Sequence, residues 1–200
     1  MPIQIGDRIP SATLSYLKDG VQQIATDELF AGKTVVLFSV PGAFTPTCSA
    51  RHLPGYVDQL DALKAKGVDA VVCMAVNDAF VMDAWRKSQS VPDEIYLLAD
   101  GNAAFVKALG LELDATKFGM GVRGQRFALV AKDGVVTHLF VEAPGEFKVS
   151  SAEAVLEKVY ESGLATRLAR ARCMEAGSPV CAHGAFTGCL RRSWARARRA

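Results

Sequence analysis

The stretch TVVLFSVPGAFTPTCSARH, residues 34–52, runs from an apolar segment through a turn to a lone cysteine. The β-branched and aromatic run 35–40 reads as a strand. Thr45 followed by Pro46 has the form of a helix N-cap with proline at the first helical position, which sets Cys48 in the first helical turn. Unpaired backbone N–H groups and the positive end of the helix surround a sulfur placed there, a setting that favours the thiolate. No second cysteine completes a Cys-x-x-Cys pair. On these residues alone Cys48 is either a nucleophile or a small buried hydrophobe, and Thr45 either a working hydroxyl or a cap.

Outward from this stretch, apolar runs rich in valine and isoleucine alternate with segments of helical period, the pattern of an α/β domain. Further strands are predicted over 70–76, 95–99, 126–131 and 135–141. Lys132, Asp133 and Gly134 form a short turn of the kind that joins antiparallel strands. The expected sheet is therefore mixed, parallel at first and ending in a hairpin. Helices are predicted over 46–66, 79–88, 103–109 and 151–162. In the first, Leu53, Val57, Leu60 and Leu63 make one core-facing stripe, and Pro54 and Gly55 are expected to kink it. Ser150, with Glu153 three residues later, has the form of a capping box.

Two hundred residues, 50% of them hydrophobic, suit one domain with a tail. A folded domain is expected over 1–163 and an atypical, disordered extension over 164–200. No run of eighteen apolar residues suggests a membrane span, and the start MPIQIGDRIP lacks the form of a secretory signal, so a cytoplasmic location is expected. The five cysteines are odd in number and lack framework spacing, which points to reduced thiols. The net charge of +2 is uneven: from Ala165 onward eight arginines face one glutamate, so the extension carries about +7 and the body about −5. The mildly acidic body does not suggest nucleic acid; a basic arm for an acidic partner is a lesser reading of the extension. Cys173, Cys181, His183 and Cys189 fit no standard zinc spacing, and no metal is expected. GMGVRG, residues 119–124, fits G-x-G-x-x-G but precedes a strand instead of opening a helix, so a dinucleotide site is rejected.

PGAFTPTCSARHLPGY, residues 41–56, resembles the active-site segment of the peroxiredoxins, thiol peroxidases whose motif Pro-x-x-x-Thr-x-x-Cys is met by Pro41, Thr45 and Cys48. VNDAFVMDAW and GVRGQRFALVAKDG follow in the places expected of the type II, five-like subfamily, and the likeness spans residues 3–162. It implies a thioredoxin-like α/β fold, with a mixed central sheet flanked by helices. It also implies reduction of hydrogen peroxide and small organic hydroperoxides through a sulfenic acid on Cys48. Thr45, the Cys48 N–H and Arg126 would hold the peroxide, and Pro41 would shield the thiolate. A role for Arg123 is optional. Phe44 would wall the pocket, and His52 would tune the thiol or shape the site. Cofactors are not implied.

Some animal members carry a resolving cysteine where this chain has Val149, Ser150 and Ser151. The resemblance therefore implies an external reductant, glutathione with glutaredoxin, or thioredoxin. Cys73 matches a second cysteine of plant-like members, but a central strand makes it a candidate secondary thiol best read as buried and inert. The three thiols of the extension are further candidate resolvers. A homodimer is implied. The competing function is a redox-sensing or chaperone-like interaction protein using the same cysteine, which repeated turnover would exclude.

Overall fold

A hairpin that sequence reasoning did not anticipate opens the fold, β1 (Thr13–Leu17) pairing antiparallel with β2 (Val21–Ala25). After the short helix α1 (Thr26–Phe30) the chain enters β3 (Thr34–Val40), buried along almost its whole length. The computed structural model describes residues 1–159. The extension expected over 164–200, with its three cysteines, lies outside the described residues, as does the end of the helix expected over 151–162.

Beyond β3 follow α2 (Leu53–Asp58), α3 (Leu60–Ala65), β4 (Ala70–Ala75), α4 (Ala79–Ser88), β5 (Ile95–Ala99) and α5 (Ala104–Ala108). A small hairpin, β6 (Glu112–Asp114) with β7 (Val122–Gly124), precedes β8 (Phe127–Lys132), β9 (Val135–Val141) and a helix α6 covering residues 152–159. Among the described residues the main sheet has seven strands in the order β2-β1-β5-β4-β3-β8-β9. β3, β4 and β5 are parallel, and β8 and β9 close one side antiparallel. This is the mixed sheet expected. Its central strands are continuous apolar runs because helices cover both faces.

Alternation along β3 sends Leu37 to one face and Phe38 to the other. Leu37 joins a core of Met74, Leu98, Phe105, Phe127 and Leu129, while Phe38 stacks on Tyr56 of α2 with centroids 3.9 Å apart. The β8–β9 turn has two central residues, Asp133 (φ 49°) and Gly134 (φ 73°), both left-handed as a tight hairpin requires.

Two local expectations are corrected. The helix expected over 46–66 is not one helix kinked at Pro54. It starts at residue 46, widens into a π-helical turn over Cys48–His52, continues as α2 and breaks at Gln59 before α3. Pro54 has no N–H to return to residue 50, and its ring would collide with that carbonyl. The backbone widens just upstream instead, and the Leu53 N–H bonds the Cys48 carbonyl. The cap of α6 is Ser151, whose Oγ accepts from the Ala154 N–H at 3.3 Å; Ser150 is bound elsewhere. Among the described residues no helix is long and apolar enough to cross a membrane.

Candidate active site

The loop that leaves β3 is fixed before the cysteine is reached. The Ala43 N–H donates to Asn77 Oδ1 at 3.0 Å, and Thr45 Oγ1 donates to the Gly42 carbonyl at 2.8 Å. A Cβ on Gly42 would stand 3.3 Å from Thr45 Cγ2 and 3.5 Å from Arg123 Nη1, so the turn has room for glycine and little more. Helical bonding starts with the Ser49 N–H to the Thr45 carbonyl at 3.0 Å, which leaves the Cys48 N–H in the unpaired first turn. Thr45 therefore holds the expected backbone position, but its hydroxyl turns back to Gly42. Trp85 Nε1 donates to Ser49 Oγ at 3.0 Å and pins this turn to α4. Cys48 itself is fully buried.

Above the sulfur lies Arg126, immediately before β8, with Nη2 3.5 Å from Cys48 Sγ and Nη1 3.0 Å from His52 Nδ1. A guanidinium can only donate, so His52 Nδ1 accepts and the ring proton sits on Nε2, which donates to the Ser150 carbonyl at 3.0 Å. Burial first, and the Arg126 charge second, hold the His52 pKa at about 3, so the ring is neutral in ordinary conditions. Tyr56 Oη donates to the same carbonyl at 3.0 Å. Ser150 is fixed in turn by Glu142, whose Oε1 accepts from the Ser150 N–H and hydroxyl, each at 2.8 Å, and from the Lys148 N–H at 2.7 Å. Burial alone would raise the Glu142 carboxyl, but the hydrogen bonds from Ser150 and Lys148 outweigh it and hold the group below its ordinary range. The chain Glu142, Ser150, His52, Arg126, Cys48 is thus continuous. Phe147, carried by the same loop, lies 4.9 Å from the His52 ring, with the Arg126 guanidinium 5.7 Å from its centroid.

Sequence reasoning named Cys48, Thr45, His52 and Arg126; the structure brings Cys48, His52 and Arg126 together, while the Thr45 hydroxyl is bound to Gly42. It missed Glu142, Phe147, Tyr56 and the Ser150 carbonyl. Pro41 stands half-buried at the end of β3. Phe44, expected as an apolar wall of the pocket, is 55% exposed, on a left-handed backbone at φ 60°. A bulky residue there is strained, and such strain persists only where the surroundings impose it. Arg123 binds backbone carbonyls, Nε to Met120 and Nη1 to Val76, both at 2.8 Å, and so braces the loops. Cys73 lies beside Phe38 in the centre of the sheet; burial, then the neighbouring Cys48, pushes its thiol well above the ordinary range. GMGVRG forms a turn and β7 and opens no helix. A surface cavity of about 540 Å³ between the β1–β2 turn, α4 and β5 is lined by none of these residues.

One cysteine at a helix start, below an arginine and on a thioredoxin-like sheet, defines a thiol peroxidase. Comparison with known proteins gives the same class. The family described as Redoxin matches residues 4–156. Peroxiredoxin-2E of Arabidopsis thaliana chloroplasts is 49% identical over 160 residues, covering 78% of this chain and 68% of that protein. Peroxiredoxin-2C of Oryza sativa is 48% identical over 158 residues, covering 78% and 98%. The crystal structure of reduced Prx3 from Vibrio vulnificus in complex with H2O2 is 56% identical with a TM-score of 0.76, covering 78% of this chain and 99% of that one. The chain belongs to the Redoxin family, among the type II peroxiredoxins, and is a thiol-dependent peroxidase.

Proposed function

We propose that Cys48 is the reacting thiol and that it reduces hydrogen peroxide and small organic hydroperoxides. Its thiolate attacks the terminal peroxide oxygen, the S–O bond forms as the O–O bond breaks, and the departing alkoxide or hydroxide takes a proton. Donors fixed in advance on the oxygens supply most of the acceleration, since charge moves from sulfur to the leaving oxygen. Arg126 Nη2 and the Cys48 N–H are those donors. Thr45, its own proton directed at Gly42, accepts a hydrogen bond from the peroxide O–H and orients the substrate. Pro41 keeps water from the sulfur. The observation that carries this reading is Arg126 Nη2 at 3.5 Å from Cys48 Sγ, with the guanidinium held from its other side by His52.

The sulfenic acid is returned to thiol by glutathione with glutaredoxin, or by thioredoxin. The place of Cys73 inside the central strand β4, with its thiol pushed well above the ordinary range, supports an external reductant. A cytoplasmic location accords with such a reductant pool. A homodimer is supported by exposed Phe44, Phe80 and Phe118, at 55%, 63% and 72%. Their segments converge through the Ala43 to Asn77 bond and the Arg123 bonds to Val76 and Met120. The test is peroxide consumption under excess glutathione and glutaredoxin, for the intact chain and Cys48→Ser. Many turnovers per chain for the first and none for the second are expected. Equal turnover would remove Cys48 from the reaction, and a single turnover by the intact chain would favour a sensor.

A further inference from the structure

Arg51 follows Cys48 by three residues in the π-helical turn Cys48–His52 and is tied to the site through the ring of Phe147. Arg51 is exposed, and its guanidinium carbon stands 5.0 Å from the centroid of Phe147. Among the described residues no carboxylate pairs with it, whereas Lys64, Arg86, Lys87 and Lys148 each have one. The ring that holds it is the one that Arg126 and His52 also touch. Arg51 is therefore a cation held on an aromatic face that it shares with the site, its fork of donors unspent among the described residues. Cys48 is fully buried whereas Arg51 is exposed, so a molecule in solvent can meet the guanidinium where it cannot directly meet the sulfur.

We propose that Arg51, seated on Phe147, docks a carboxylate of a small anionic thiol, with the chemistry of glutathione, during reduction of oxidised Cys48. The proposal rests on the external-thiol reading above. In the step served, the thiol sulfur attacks the sulfenic sulfur; the S–S bond forms, the S–O bond breaks, and the hydroxyl leaves with the thiol proton as water. A second thiol then attacks the mixed disulfide, giving the oxidised reductant and the Cys48 thiol. A guanidinium receives a carboxylate through two parallel hydrogen bonds, and stacking on Phe147 reduces the freedom lost in forming them.

The test uses the full chain, oxidised with one equivalent of hydrogen peroxide, and follows loss of the sulfenic acid with glutathione, neutral 2-mercaptoethanol or cationic cysteamine. The intact chain is compared with Arg51→Ala, Arg51→Glu and Arg51→Lys. The ratio of the glutathione rate to the 2-mercaptoethanol rate isolates charge recognition, because a general disturbance of the site slows both. The expected ratio falls about two- to fivefold in Arg51→Ala, the range of one exposed ion pair. It falls further in Arg51→Glu, where cysteamine gains, and recovers in part in Arg51→Lys. High salt should shrink these differences. The same ratio in all four proteins, or an equal loss with cysteamine, overturns the proposal. Trapping the sulfenic acid with dimedone before thiol is added separates the two failures: if none forms on Cys48, the underlying reading fails and the proposal goes with it.

Discussion

Arg126 donates through Nη1 to Nδ1 of His52 at 3.0 Å while its Nη2 reaches Cys48 Sγ at 3.5 Å. The histidine has no acid–base task in this arrangement. It is a neutral acceptor that fixes the direction of the arginine, and it can accept only because burial keeps it from taking a second proton.

Arg126→Lys should therefore fail although the charge is kept. One ammonium cannot serve His52 and the reacting centre with the geometry of a planar fork. Loss of one preorganised donor costs about 100-fold or more in rate. Stopped-flow measurement of the second-order rate with hydrogen peroxide, on protein of unchanged circular dichroism, checks this.

The low pKa of His52 has a consequence for stability. In the unfolded chain the ring binds a proton near pH 6.5, and in the folded chain only near 3, so between these values the unfolded state holds more protons. Stability from this group is complete above pH 6.5 and is lost as pH falls toward 3, by about 2 kcal/mol between pH 7 and 5. Urea unfolding at those two pH values should show the loss in the intact chain and a smaller one in His52→Asn. His138, whose pKa burial also lowers, contributes equally to both proteins and cancels in the difference.

Glu142 anchors the loop that carries Phe147 and Ser150. In Glu142→Ala the Ser150 and Lys148 donors lose their acceptor, at a cost of about 2 to 4 kcal/mol, since hydrogen bonds to a charged group are the stronger kind. Glu142→Gln keeps an acceptor oxygen, so its loss should be about half. Peroxide rates should follow the same order, measured beside thermal unfolding of each variant.

Cys73 should be dispensable. Cys73→Ala is expected to retain peroxide turnover within about twofold and to lose about 1 kcal/mol for the small void in a packed strand. A large fall in turnover without unfolding would make this buried thiol part of the cycle.

The tripeptide Lys-Asp-Gly shows where sequence reading stopped. At 132–134 it joins two strands of strong apolar content, and the hairpin was legible. At 18–20 the same tripeptide joins β1 and β2, whose residues are mostly exposed or half-buried, so their composition does not announce a strand. The central strands were readable because burial on both faces makes them uniformly apolar. Cys48 was readable as a thiol at a helix start because Thr45 and Pro46 mark that start locally; the site roles of Thr45 and Pro41 came only with the resemblance. Arg126, 78 residues from Cys48, was reached only through resemblance. Glu142 and Phe147 had no local signal, because their partners are set by how a loop folds back on the first helix. Ser150 was noticed, but as a cap: its spacing to Glu153 suited that role, and nothing local revealed the carboxylate of Glu142.

The most direct measurement is a single turnover without reductant. The intact chain, with all its cysteines reduced, is mixed with excess hydrogen peroxide and quenched at early times, and the oxidation state of each cysteine is read by mass spectrometry. The expected result is one peroxide consumed per chain in the fast phase, a sulfenic acid on Cys48, and thiols still reduced at Cys73, Cys173, Cys181 and Cys189. A disulfide joining Cys48 to any of these in the same fast phase would contradict a cycle completed by an outside thiol, and fast oxidation that spares Cys48 would contradict the site itself.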